Sequence, residues 1–71
     1  MITIENNVLT KREIEVLELV VRGKNNPEIS ETLNISVNTV KAHCKSIFEK
    51  LEVNNRVDAV IKAISTGIIW L

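Results

Sequence analysis

The residues best equipped for chemistry stand in one stretch, SVNTVKAHCK at positions 36–45. It holds the single histidine (His43) and the single cysteine (Cys44), with Lys41 and Lys45 four apart around them. A nucleophile–base pair needs thiol and imidazole within hydrogen-bonding reach. Neighbours on a helix diverge by about 100°, so His43 and Cys44 cannot form one. No second ligand stands near His43 at metal spacing, so neither a metal nor a cofactor is expected. Glu13, Glu15 and Glu18 offer paired carboxylates in principle, but acids on a helix's first turns ordinarily serve its dipole and its solvation. With no glycine-rich loop either, catalysis is not expected. Asn38, Lys41, Ala42 and Lys45 suit a different task. Together they make a slim, positive helix surface that can enter a nucleic-acid groove. There lysine donates to guanine O6 and N7, asparagine pairs with adenine, and alanine touches a thymine methyl.

Charge sharpens this expectation only modestly. The 71 residues carry nine bases and nine acids, a formal net charge of zero. Residues 1–35 hold six acids against four bases, and residues 36–71 five bases against three acids. The basic bias therefore begins where the stretch begins, a local positive face on a neutral protein. Hydrophobic content of 45% is ordinary for a folded domain. A chain of this length makes one domain with a thin stability margin. Its apolar runs are too short for a membrane span, and MITIENN has neither the basic leader nor the apolar core of a signal peptide. A lone cysteine forms no internal disulfide and fits a reducing cytoplasm.

Four helices and no strand are expected to position these residues. The first spans about residues 11–22, opened by Thr10 and Glu13 as a capping box and stopped by Gly23. Val16, Leu17, Val20 and Val21 share its apolar side, and Glu13 falls there too, either closing the box or pairing with a base from another helix. The second spans about residues 27–33, with Asn26 as N-cap and Pro27 at the first helical position. Ile29 and Leu33 form its apolar face, and Asn34 and Ile35 leave room only for a tight turn. The third starts at the N-cap Ser36 and runs to about Leu51. Val37, Val40, Cys44, Ile47, Phe48 and Leu51 form its buried stripe, where Cys44 is a core residue. The fourth runs from near Asn55 to near Thr66, with Gly67 as the stop. It is apolar on two sides: Val57, Ile61 and Ile64 on one, Ala59 and Ala63 away from them. Such a helix touches its own core and something else, a second copy being the natural occupant.

A short helix, a tight link and a longer helix is the helix-turn-helix layout, here about residues 24–43. In that geometry the first member braces across the phosphate backbone and the second puts its N-terminal residues at base edges. The helix starts at Asn26, Ser36 and Thr39 can donate to phosphates. The competing expectation is a helical protein-interaction module of the same fold, without DNA binding, whose lysines are merely solvated.

The chain closely resembles the LuxR-type (GerE-like) helix-turn-helix domain, an output module of bacterial regulators. The matching stretches are LTKREIEVLELVVRGKNN (9–26), EISETLNISVNTVKAH (28–43), IFEKL (47–51) and NNRVDAV (54–60). The resemblance covers residues 9–69, leaving 1–8 as an N-terminal extension. It implies an all-α, four-helix domain that binds double-stranded promoter DNA through the major groove, usually as a homodimer on palindromic sites. Carried over by position, base reading falls on Lys41, Ala42 and Lys45, with Lys41 foremost and Asn38 beside them. Phosphate contacts fall on Asn26, Ser36, Thr39 and His43. Dimerisation through the fourth helix agrees with the second apolar face at Val57, Ile61 and Ile64. Arg56 is implied to brace the fold against a helix-one carboxylate, with Glu13 the first choice. The chain departs from the family at Pro27, where a lysine is usual, at Ser30 for alanine, at Val37 for an acid and at Glu52 for glycine. Neutral charge implies that an isolated domain binds weakly and gains from dimerisation.

Overall fold

The computed structural model describes residues 9–70, and the proposed extension at 1–8 lies outside them. Four helices follow in order: α1 (Lys11–Val21), α2 (Asn26–Leu33), α3 (Val37–Leu51) and α4 (Arg56–Ser65), with no strand among the described residues.

Each helix starts on a side-chain cap. The Thr10 hydroxyl accepts from the Glu13 N–H at 3.1 Å, and the Glu13 carboxylate accepts from the Thr10 N–H at 2.9 Å. The expected capping box of α1 is therefore complete, satisfying N–H groups that a helix start leaves without partners. At α2 the expectation shifts by one residue. Asn25, not Asn26, is the N-cap, bonded reciprocally with Glu28, so Asn26 is the first helical residue and Pro27 the second. Glu28 decides this, because only an N-cap three positions before it can close the box. Ser36 caps α3 and Asn55 caps α4, as the spacing predicts.

The helix ends use left-handed residues. Gly23 sits at φ 90° and Gly67 at φ 79°, where glycine carries no steric penalty. Asn34 (φ 57°) and Glu52 (φ 60°) adopt the same conformation with side chains attached. At Glu52 the helix stops despite the missing glycine: Glu52 N–H donates to the Glu49 carbonyl at 3.1 Å and Val53 N–H to the Phe48 carbonyl at 2.9 Å.

Val16, Leu17, Ile29, Val40, Ile47, Ala59 and Ala63 fill the centre of the core with at most 1% exposure. α1 packs against all three other helices, and α2 packs chiefly against α3. Leu9 and Ile69 close the core from both ends of the described chain. The expected stripe of α3 is buried at Val40, Cys44, Ile47 and Leu51, while Phe48 and Val37 are only half-buried at its edges. On α4 the two alanines face the core, because their small side chains let the helix approach α1 closely.

Candidate nucleic-acid interface

α2 and α3 are joined by three residues, Asn34, Ile35 and Ser36. The left-handed Asn34 lets the chain reverse, and Ile35 N–H returns to the Ser30 carbonyl at 3.0 Å to seal the turn. Ser36 then restarts the helix at once, its hydroxyl accepting from Thr39 N–H at 3.0 Å. The turn fixes α3 against α2 and leaves one side of α3 uncovered.

That side carries Asn38, Lys41, Ala42 and Lys45, all exposed. At 100° per residue they share an arc of roughly 100°. Neither lysine forms an ion pair among the described residues, whose ion pairs are Arg12–Glu15, Arg22–Glu18 and Lys50–Glu13. Both ammonium groups are thus available to an external acceptor. α3 carries no acid in its first turn, and Glu49 is the first on this side, one turn beyond Lys45.

The residues expected at phosphates divide into three places. Ser36 and Thr39 are exposed at the start of α3, their hydroxyl oxygens 2.9 Å apart. One hydroxyl donates to the other, which leaves the second free to donate outward. Asn26, at the start of α2, is half-buried and lines an open cleft of about 440 Å³ together with Lys41 and Lys45. His43 is half-buried. By helix angle it lies on the side of α3 that also carries Ser46 and Lys50, toward α1.

Two bonded clusters hold this surface in place, and they correct the expected partner of Arg56. Glu13 is the one buried charged residue among those described, 5% exposed. Its carboxylate accepts from Lys50 Nζ at 2.8 Å and from Ser46 Oγ at 2.6 Å, both on α3. Glu13 therefore closes its capping box and also pairs with a base from another helix, but that base is Lys50 and not Arg56. Burial alone would raise its pKa. The donors from Lys50, Ser46 and the Thr10 N–H outweigh that and hold it at about 2. Arg56 turns the other way: Nη1 donates to Asn26 Oδ1 at 3.1 Å and Nη2 to the Lys24 carbonyl at 2.9 Å. It braces α4 against the start of α2. Sequence reasoning missed Ser46 and Lys50 as partners of Glu13, and Asn26 as partner of Arg56. All three contacts span 30 positions or more, where local spacing carries no signal.

Cys44 lies beneath the cleft at 6% exposure. Burial pushes its thiol above the ordinary value, against the pull of the nearby Arg56 guanidinium. A buried thiol on the α3 stripe is a core residue. Among the described residues no group of three or more His, Cys, Asp or Glu is placed to hold a metal ion.

The outer side of α4 exposes Val57 at 67%, Ile61 at 59% and Ile64 at 43%, a stripe at i, i+4 and i+7. Trp70, just beyond α4, is also exposed. No helix among the described residues is long and apolar enough to cross a membrane.

A two-helix motif with a three-residue turn, whose second helix shows a slim basic face, defines a helix-turn-helix DNA-binding domain. Residues 7–63 match the luxR family of bacterial regulatory proteins, and the chain belongs to that family. It is 49% identical over 63 residues to the transcriptional regulatory protein DesR of Bacillus subtilis (strain 168), covering 89% of this chain and 32% of DesR. It is 46% identical over 61 residues to the transcriptional regulatory protein DegU of Brevibacillus brevis, covering 86% of this chain and 26% of DegU. Against LiaR of Bacillus subtilis (strain 168), identity is 49% over 55 residues, covering 78% of this chain and 26% of LiaR. The chain thus spans a third or less of the length of these curated relatives. The family is one of transcription regulators and not an enzyme class.

Proposed function

We propose that residues 9–69 form the promoter-binding unit of a cytoplasmic transcriptional regulator, with α3 in the major groove. The observation that carries this reading is the exposed face of α3, where Lys41 and Lys45 stand one turn apart with Asn38 and Ala42, without an ion-pair partner among the described residues and with Glu49 the first acid, one turn beyond. In this reading Lys41 and Lys45 donate to guanine acceptors, Asn38 meets an adenine and Ala42 a thymine methyl. Asn26, Ser36, Thr39 and His43 hold backbone phosphates and set the register of α3. A second copy packs on Val57, Ile61 and Ile64, so that two α3 helices meet successive major grooves of a palindromic site.

The Glu13–Lys50–Ser46 cluster supports the same function indirectly. It anchors the flank of α3 that faces α1, so the groove-entering side is held by a rigid backbone.

Selection of bound sites from a random DNA pool tests the reading. The expected outcome is an enriched motif with two inverted half-sites about one helical turn apart, centre to centre. A pool that stays random while the protein remains folded would favour the protein-interaction alternative.

A further inference from the structure

Arg56 fixes the polarity of Asn26. Its guanidinium forks between the Lys24 carbonyl at 2.9 Å and Asn26 Oδ1 at 3.1 Å. Both partners accept, and Arg56 can only donate. Turning the Asn26 amide over would set its NH₂ against the guanidinium, donor to donor, so its orientation follows from the hydrogen bond. The part of the side chain left for a ligand is therefore the NH₂ group, which only donates.

The surroundings of that group name the acceptor class. Asn26 and Arg56 line the same cleft as Lys41, Lys45 and Asn54, with Glu49 as the single acid in the lining. A fixed donor beside the free ammonium groups of Lys41 and Lys45 suits an anionic oxygen. We propose that Arg56 is a positioning residue: it makes no DNA contact itself but orients Asn26 to donate to a phosphodiester oxygen of the duplex. This rests on the reading that the α2–α3 face meets DNA.

The chemistry makes Arg56 and Asn26 energetically dependent for DNA binding. With Arg56 present, Asn26→Ala removes an oriented donor to a charged acceptor and lowers affinity roughly tenfold. With Arg56→Ala, the amide turns freely and its donor is no longer aimed. Asn26→Ala should then cost less than about twofold, a coupling that independent sites do not show. Because Arg56 neutralises no phosphate, Arg56→Ala should lower affinity while leaving the salt slope unchanged. A direct contact would reduce that slope by about 0.9.

The experiment is a fluorescence-anisotropy titration of a short random-sequence duplex with wild type, Asn26→Ala, Arg56→Ala and the double variant at several salt concentrations. The Asn26 side-chain amide is followed alongside in ¹⁵N–¹H spectra. Coupled losses, an unchanged slope for Arg56→Ala, and an Asn26 amide signal that shifts on DNA addition only when Arg56 is present are expected. Additive losses, or a slope reduced by about one, overturn the positioning role while leaving the DNA reading intact. If wild type fails to bind the duplex at low salt, the DNA reading falls and this role falls with it. Should Arg56→Ala lose its helical circular dichroism, Arg56→Lys replaces it. Lysine keeps the charge without the fork, and coupling undiminished in that variant also overturns the proposal.

Discussion

The residue whose surroundings differ most from water is Glu13. Its carboxyl sits at about 2 against an ordinary 4.5, so below pH 4.5 the unfolded chain binds a proton that the folded chain does not. The stability this supplies is complete above about pH 4.5 and is lost as pH falls toward 2. The loss through this one group is on the order of 3 kcal/mol. Urea unfolding followed across that range should show a steep fall for wild type. Glu13→Gln should show a shallower fall, together with lower stability at neutral pH. A wild-type midpoint independent of pH between 5 and 2.5 would contradict the buried pair. The sequence disclosed half of this residue's role. Thr10 and Glu13 stand at capping distance along the chain, and Glu13 falls on an apolar helix side, where a carboxylate needs a partner. Which base answers it depends on how α3 lies across α1, and spacing does not encode that. For the same reason spacing does not disclose that Arg56 pairs with Asn26 and not with Glu13.

At the scale of elements, the helices were almost wholly legible, because caps and stops act locally. Thr10, Ser36 and Asn55 announce their helices, and Gly23 and Gly67 end theirs. Where two asparagines compete at α2, Glu28 selects Asn25, a signal present in the sequence and outweighed there by Pro27. Glu52 shows that a helix can stop without its usual glycine when backbone hydrogen bonds close its last turn, but a side chain at φ 60° costs energy. Glu52→Gly should raise stability by about 0.5–1 kcal/mol, the relief of strain being partly offset by a freer unfolded chain. Denaturant midpoints of the two proteins check this, and an unchanged or lowered midpoint would mean that the Glu52 side chain stabilises in some other way. The two-sided pattern of α4 was also legible, since alanines and larger apolar residues separate cleanly by angle. If a second copy covers the exposed stripe, Val57→Glu with Ile61→Glu should lower the sedimenting mass toward a monomer. Both positions face solvent, so the fold should survive. An unchanged mass would remove α4 as the interface.

For the whole molecule, zero net charge and a basic second half mean that attraction to DNA is a property of one face. Affinity should fall by about tenfold or more between roughly 50 and 200 mM salt if several phosphates are engaged. Dimerisation would double the contacts and compensate for a neutral protomer. The face itself was legible from the sequence because it is built on a single helix. The cleft behind it was not, since it joins the starts of α2 and α4 to α3 across 30 positions.

Entry of the exposed α3 lysines into the groove is tested by the affinity of wild type, Lys41→Ala and Lys45→Ala for a duplex carrying the selected site and for a scrambled duplex of equal length. Each substitution should cost about 1–3 kcal/mol on the selected site and markedly less on the scrambled one. Both variants binding the selected site as tightly as wild type would contradict the assignment of α3 as the reading helix.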